Sequence, residues 1–277
     1  AGRGRGKWRA AIAAAGMATT AGLWTAAAAA SPGLMPHMAA YAMQVSPAGN
    51  GLGVLGGRGV MQLEWRRDCD GVTYSQQSLL TLNSQDGGVF DSSVRIESWE
   101  AADAGTFRFT LESSIETEAV NGLAERQPDG SVEVRYTEPM EEQRRMPPET
   151  VFPWQQMRMV LENASMGVRH SWFRLLRGEA EGDPVGVSVQ IAGAEGPPAD
   201  AGALGLPEGA SDLLPTEGWR VVSAYFEDRV KAEPDFEIAE TVLASGVITR
   251  ATIAYPDMTM RLTLQRLQPV PMPDCGG

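Results

Sequence analysis

Residues 58–66 read RGVMQLEWR, and the alternation of apolar and polar side chains in this stretch decides the fold class. Met61, Leu63 and Trp65 fall on one side of an extended chain, and the residues between them are polar. A period of two is typical of a β-strand with one buried face. So clean an alternation favours an antiparallel sheet, because parallel strands are usually buried on both faces.

The same alternation recurs along the chain from residue 58 onward. The apolar positions that share one face in other stretches are Phe107, Phe109 and Leu111; Val132, Val134 and Tyr136; Val185, Val187, Val189 and Ile191; and Met258, Met260, Leu262 and Leu264. Turn-forming residues separate such stretches at 85–88, 103–105, 127–130, 245–246 and 255–257. We therefore predict an all-β fold of about 10–14 antiparallel strands, forming an open barrel that hides most of its edges.

One segment departs from the strand pattern and has the features of an α-helix. Pro153 suits the first helical position, and Gly167 can end the segment in the left-handed conformation. Between them, apolar residues recur at three- and four-residue steps, which predicts one helix docked on the sheet. We expect loops at 138–150, which is rich in charge and Pro, and at 192–218, which is long enough to be mobile or to act as a lid.

The N-terminal segment has the pattern of a secretory signal peptide. Four basic residues precede an Ala-rich apolar run, which ends in small residues before Ser31. A membrane anchor is the competing interpretation, but the run is shorter than the roughly 20 strongly apolar residues that a bilayer core needs. We predict a signal peptide at 1–30, a flexible N-terminus at 31–38 and a single β-domain at 39–275. The mature protein is then soluble and periplasmic.

The charge of the chain argues against nucleic acid as a partner. The full sequence has 23 basic and 35 acidic residues and a formal net charge of −12. Removal of residues 1–30 takes away four basic residues and no acidic ones, so the mature chain is more acidic still. Binding to nucleic acid depends on cationic side chains that neutralise phosphates, which this chain has in deficit.

The chain has two cysteines, Cys69 and Cys275. An exported protein meets an oxidising compartment, where a single pair favours a disulfide over two free thiols. Cys275 also lies in a polar tail, where a buried unpaired thiol is unusual. Such a bridge closes a loop of roughly 200 residues, and chain entropy then stabilises the fold by about 5 kcal/mol, less any native strain.

No motif in the sequence carries a convincing catalytic, cofactor or metal site. Residues 51–56 match G-x-G-x-x-G, but these glycines lead into a predicted strand, whereas a dinucleotide site needs a helix there. Two histidines, His37 and His170, are too few for a structural zinc site. The acid pairs Glu141–Glu142 and Glu179–Glu181 lie in charged loops and are expected to be solvated. We therefore predict no enzyme activity, no cofactor and no metal.

Two alternatives remain open at this point. A periplasmic hydrolase on a β-scaffold would use His170 as a general acid or base, which requires a cleft where His170 meets a hydroxyl and a carboxylate. An outer-membrane barrel would also show alternating strands, but charges interrupt the strands here and no aromatic girdles are evident.

Several landmarks together resemble the EipB family, periplasmic proteins of alphaproteobacteria linked to cell-envelope integrity. Gly59-Val60-Met61 leads to Cys69-Asp70-Gly71-Val72-Thr73-Tyr74, and Val151-Phe152-Pro153 opens the predicted helix. The segment from Trp219 to Asp228 and the closing run from Phe236 to Cys275 complete the likeness. The resemblance covers nearly all of residues 39–275.

The resemblance implies a long antiparallel sheet wound into a β-spiral, with a Cys69–Cys275 bridge between its early and late parts. It also implies a likeness to the open barrels that carry lipoproteins across the periplasm. No catalytic residues are assigned in that family, so none are expected here. The function that this implies is support of the cell envelope by binding a protein partner or a lipid-like ligand in a concave core.

Overall fold

The structure is a computed structural model that describes residues 33–48, 54–114, 119–178, 184–199, 204, 206–207, 210–227 and 231–275. Fifteen strands, one α-helix and a short 3-10 helix at Ser211–Leu213 lie in these ranges. The elements are β1 (His37–Pro47), β2 (Val54–Arg67), β3 (Gly71–Ser84), β4 (Val89–Ala101), β5 (Thr106–Ser113), β6 (Val120–Arg126), β7 (Val132–Glu138), β8 (Glu142–Met146), β9 (Thr150–Val151), α1 (Pro153–Ser165), β10 (His170–Leu175), β11 (Val185–Ala194), β12 (Gly218–Phe226), β13 (Phe236–Leu243), β14 (Ile248–Ala254) and β15 (Met258–Pro269). The all-β prediction with one helix is confirmed.

All fifteen strands form one sheet, in the order β8-β7-β6-β5-β4-β3-β2-β1-β15-β14-β13-β12-β11-β10-β9. Every pair is antiparallel except β9 with β10, which is parallel. The first strand therefore pairs with the last, so both ends of the β-domain lie in the middle of the sheet. The two edge strands, β8 and β9, follow each other in sequence, which brings the edges of the sheet together and nearly closes it.

The strand count exceeds the expected range because the segment 138–150 is not a plain loop. It contains β8, and β9 begins at its end. β8 has the sequence EQRRM and lies at the edge of the sheet, where it buries only its last residue. An edge strand with mostly exposed, charged side chains gives no apolar alternation, so its sequence resembles a loop.

The N-terminal boundary also differs from the expected one. Residues 31–32 lie outside the described ranges, but β1 already begins at His37. His37 is 2% exposed, and its Nδ1 lies 2.8 Å from the carbonyl oxygen of Met35. The backbone N–H of Met35 in turn donates to the carbonyl of Ser245 at 2.8 Å. These contacts attach the residues just before β1 to the turn between β13 and β14.

The link between the two edge strands is held by one side chain. Arg126, at the end of β6, donates to the carbonyl oxygens of Gly130, Pro148 and Thr150 at 3.1, 3.1 and 2.8 Å. Its Nε also donates to the carbonyl of Ala104 at 3.2 Å. One guanidinium thus fixes the turns that surround the closure of the sheet, a use of Arg that its planar array of donors suits.

The helix α1 matches its predicted bounds. It buries Val160, Leu161 and Ala164 against the sheet, and Gly167 has a φ of +75° just beyond its end. Phe152, which precedes the helix, makes no side-chain cap. The carboxylate of Glu100 on β4 takes this role, since it accepts the backbone N–H groups of Trp154 and Gln155 at 2.8 and 2.9 Å.

The described part of the segment 192–218 packs on the core and does not stand open as a lid. β11 continues to Ala194, and Glu195 pairs by its backbone with Gly218 at 2.8 Å. Leu213 is 1% exposed, and its carbonyl accepts the hydroxyl of Ser245 at 2.8 Å. Residues 200–203, 205 and 208–209 of this segment lie outside the described ranges.

Candidate functional site

The inner face of the curved sheet is apolar but not fully filled. The buried residues of β1, β3 and β15 form a core cluster around Tyr41, Leu80 and Leu264. Six inward-facing side chains pack against this cluster and still keep partial exposure: Met61, Trp65, Tyr74, Ile253, Met258 and Met260. A solidly packed interior would bury them. The inner wall therefore borders space that solvent reaches.

Aromatic rings line one side of this wall. The ring centroids of Trp65 and Tyr74 lie 4.7 Å apart, and those of Trp65 and Trp154 lie 5.2 Å apart. Trp154 belongs to the first turn of α1, so the helix that Glu100 caps carries one ring of the group. The arrangement gives the wall a rigid apolar surface of the kind that binding sites for apolar ligands use.

Glu240 is an acid on the inner face. It lies on β13 between Val221 of β12 and Ala251 of β14. Its carboxyl group is deep in the molecule, yet the residue keeps partial exposure, as the six side chains above do. Burial raises its pKa from 4.5 to about 7. No hydrogen bond joins its carboxyl group to any residue that the structure describes.

Two tyrosines approach Glu240 from the opposite part of the wall. The hydroxyl of Tyr41 donates to the carbonyl of Ile248 at 2.8 Å, and that of Tyr74 donates to Oε1 of Gln76 at 2.5 Å. Burial raises the pKa of both hydroxyls, and the negative charge of Glu240 adds to the effect. Both tyrosines therefore remain neutral over the physiological pH range, and their donated protons are directed away from the acid.

Glu100 is the second buried acid and differs from Glu240 in its partners. It is 3% exposed, and it accepts the two N–H groups at the start of α1. Burial raises its pKa to about 7, although these hydrogen bonds and the charges of Arg158 and Arg126 lower it in part. The position of Glu100 is explained by the helix that it caps, whereas Glu240 has no such contact in the part of the chain that the structure describes.

A groove of about 650 Å³ crosses the outer face of β3–β7. Thr73, Ser75, Thr110 and other polar side chains line it. The ring of Trp99 in this groove already lies under the guanidinium of Arg108, 5.0 Å from the ring centroid, and its Nε1 donates to Asp68 at 3.0 Å. The Trp99 ring and the Arg108 cation of this groove already contact each other. The groove therefore resembles an ordinary solvated protein surface.

The structure joins Cys69 and Cys275 in a disulfide, with Cα atoms 5.4 Å apart. Cys69 lies in the turn between β2 and β3, and Cys275 lies in the tail after β15. Since β1 pairs with both β2 and β15, the bridge connects neighbouring strand ends at one end of the sheet. Its two cysteines are exposed.

The hydrolase alternative requires His170 beside a hydroxyl and a carboxylate, and the described ranges supply only the hydroxyl. His170 is exposed at the start of β10, and its Nε2 lies 3.2 Å from the Oγ of Ser188. Among the described residues, no carboxylate contacts His170. Glu142 is exposed and paired with Arg144, while Glu179 and Glu181 lie outside the described ranges. The hydroxyl is therefore present, but the structure supplies no triad in the part of the chain that it describes.

Other predicted features fall as follows. Within the described ranges, no three His, Cys, Asp or Glu side chains group in a way that would hold a metal ion. No helix in those ranges has the length and apolar character needed to cross a membrane. Of the G-x-G-x-x-G motif, Gly51 and Gly53 lie outside the described ranges, and Gly56 lies within β2. The predicted signal peptide also lies outside them.

Glu240 is not among the residues predicted from sequence, although its strand carries a signal for it. Phe236, Ile238 and Val242 occupy alternate positions of β13, and Glu240 stands in the same row. An acid at an apolar position of an alternating strand breaks the pattern, and buried acids without partners are uncommon. The sequence alone shows Glu240 in this apolar row, but only the structure shows that no described residue forms a hydrogen bond with it.

Comparison with known proteins agrees with the resemblance inferred from sequence. Over 266 residues the chain is 24% identical to the cell envelope integrity protein EipB of Brucella abortus (strain 2308), covering 92% of this chain and 93% of that protein. Its fold is similar to the crystal structure of a beta-barrel-like protein of the domain of unknown function DUF1849 from Brucella abortus, with a TM-score of 0.76 and 23% identity, covering 86% of this chain and 99% of that one. A family model described as EipB-like matches residues 28–271, and the chain therefore belongs to the EipB-like family.

Proposed function

We propose that this protein supports the integrity of the cell envelope by holding a lipid-like ligand inside its curved sheet, without catalysing a reaction. The name of the Brucella abortus relative supports the envelope role. The inner wall supports an internal ligand, because apolar side chains such as Trp65, Tyr74 and Ile253 remain partly exposed there. The periplasm, reached by way of a signal peptide at 1–30, is the location that fits this role.

The energetics favour an apolar chain as the occupant. Each 100 Å² of apolar surface that a ligand covers contributes about 2.5 kcal/mol, before the cost of immobilising the ligand. The wall is built from rings and aliphatic side chains on a sheet that the closure and the bridge hold curved. A preformed wall of this kind loses little freedom when it binds, which favours affinity. The alternative to an internal ligand is a protein partner that docks on the outer face.

The proposal is tested by filling the inner wall with a larger side chain. Ile253→Trp places an indole in the internal space, whereas Val60→Trp places one on the outer face of β2, where Val60 is 59% exposed. Binding of the neutral apolar fluorophore N-phenyl-1-naphthylamine is measured by titration. We expect Ile253→Trp to weaken binding at least 10-fold and Val60→Trp to leave it unchanged.

Circular dichroism and thermal melting establish that both variants fold. Solvent extraction of the protein purified from the periplasm, followed by mass spectrometry, provides a second test, with a lipid at near-equimolar amount as the expected result. If the wild-type protein binds no apolar probe and yields no lipid, the ligand part of the proposal is wrong. Equal binding by both tryptophan variants would place the probe elsewhere and would also contradict it.

A further inference from the structure

Glu240 lies on the inner wall, and no contact with a described residue explains its position there. Buried carboxyl groups are normally satisfied by donors or by cations, because an unpaired buried charge is costly. Glu100 follows this rule through two N–H groups of α1 and the nearby charges of Arg158 and Arg126. Glu240 has neither a donor nor a basic neighbour among the described residues, and part of its residue surface remains exposed.

The groups that face Glu240 from the packed elements do not supply the missing donor. Val221 of β12 and Ala251 of β14 flank it on the sheet and have no polar side-chain atoms. Tyr41 of β1 and Tyr74 of β3 direct their protons to other acceptors. The Gln76 amide accepts the proton of Tyr74, and among the described residues no N–H or O–H group forms a hydrogen bond with the carboxyl group of Glu240.

On the basis of the proposed function, we infer that Glu240 receives the protonated amine of an amphiphilic ligand whose apolar chain lies along the inner wall. An ammonium group supplies three donors and a positive charge, and it makes a charge-assisted hydrogen bond with a carboxylate. Among the described residues, no cation lies beside Glu240 to receive an anionic head group. The surrounding low dielectric strengthens the pairing of ammonium with carboxylate and makes it selective over a neutral hydroxyl.

The pairing predicts a pH dependence with a definite sign. An ammonium ligand favours the ionised form of Glu240, so it binds more tightly as the pH rises through the pKa of about 7. Tyr41 and Tyr74 stay neutral across this range, because burial raises their pKa values. Between pH 5.5 and pH 8.5 the ionised fraction of a group with this pKa rises about 30-fold, which sets the upper limit of the effect.

The experiment compares two ligands of equal chain length on the full protein. Decylammonium stays charged at both pH values, and 1-decanol stays neutral. Each is titrated against bound N-phenyl-1-naphthylamine at pH 5.5 and pH 8.5, with wild type, Glu240→Gln and, as a matched control, Glu97→Gln on the outer face of β4. For wild type and Glu97→Gln, we expect decylammonium to gain at least 10-fold in affinity at pH 8.5. We expect no gain for 1-decanol, and none for either ligand with Glu240→Gln.

The outcomes separate this inference from the proposed function. If 1-decanol displaces the probe but decylammonium shows no pH dependence, or if Glu240→Gln alters both ligands equally, the role of Glu240 is wrong and the apolar interior stands. If neither ligand displaces the probe, the proposed ligand is wrong as well.

A second measurement does not depend on the variant. Calorimetry of wild type at pH 6.5, in two buffers of different ionisation enthalpy, should show proton release with decylammonium and none with 1-decanol. Equal proton release with the two ligands would overturn the inference.

Discussion

At the scale of single residues, the protein is distinguished by two acids that lie where apolar side chains are expected. Glu100 and Glu240 both have a pKa raised to about 7 by burial, but only Glu100 has hydrogen-bond donors in the described structure. Each acid is therefore harder to ionise in the folded protein than in the unfolded chain. This difference couples the stability of the fold to pH.

Replacement of Glu240 by Gln should stabilise the protein more at high pH than at low pH. The unfolded chain loses the proton near pH 4.5 and the folded protein near pH 7, so wild-type stability falls as the pH rises through this window. Gln does not titrate and removes that loss. We expect the advantage of Glu240→Gln in free energy of unfolding to be about 1–2 kcal/mol larger at pH 8 than at pH 5.5.

Urea denaturation of ligand-free protein at the two pH values measures this difference. Glu97→Gln is the control, since its side chain is 49% exposed and paired with Arg95 on the surface. A pH-independent difference between Glu240→Gln and wild type would mean that Glu240 is not buried in the folded state.

At the scale of elements, α1 depends on a contact from a distant strand. Phe152 gives it no side-chain cap, so the N–H groups of Trp154 and Gln155 are satisfied by Glu100 of β4. Helix starts commonly use a local Ser, Thr, Asp or Asn for this purpose. Here the cap also fixes the helix to the sheet, and with it Trp154, whose ring lies against Trp65 of the inner wall.

Replacement of Glu100 by Ala should therefore destabilise the helix start and its attachment. Two partly buried N–H groups lose their acceptor, which costs about 2–4 kcal/mol in free energy of unfolding. Denaturation measures the cost, and Trp fluorescence reports on the ring contact. Glu97→Ala, three residues earlier on the same strand, is the control and should change stability by less than about 1 kcal/mol, because it removes only a surface ion pair. Equal effects of the two substitutions would show that the cap contributes nothing.

At the scale of the whole molecule, the sheet order places the first and last strands side by side in its middle. The pairing of β1 with β15 joins residues more than 200 positions apart, and the Cys69–Cys275 bridge spans 206 positions at the same end of the sheet. Bringing such distant segments together costs chain entropy, and a cross-link in the unfolded chain reduces that cost. The bridge thus reinforces the contact that holds the two halves of the sheet together.

Removal of the bridge should lower the stability of the whole fold. For the variant with both Cys69→Ser and Cys275→Ser, we expect a loss of up to about 5 kcal/mol in free energy of unfolding, the limit given by loop entropy. Denaturation under oxidising conditions measures the loss. Reduction of the wild-type protein should produce a similar shift and should not shift the double variant further. An unchanged denaturation midpoint in the double variant would contradict this role for the bridge.

The sequence by itself determined the fold class, because alternation along a strand is a local property that reports which side chains face a core. It also determined α1 from Pro153 to its end near Gly167, and it indicated that the two cysteines form a pair. It missed β8, whose side chains face solvent at an edge, and it left Glu240 unnoticed within an apolar row.

Only the tertiary structure decided that β1 meets β15, that Glu100 caps a helix more than 50 residues away, and that Glu240 has no donor among the described residues. These features depend on which distant segments become neighbours in space. Local periodicity assigns a side chain to a face, but it does not give the side chains opposite it. For a buried acid, those opposite side chains determine whether it serves the fold or is left for a ligand.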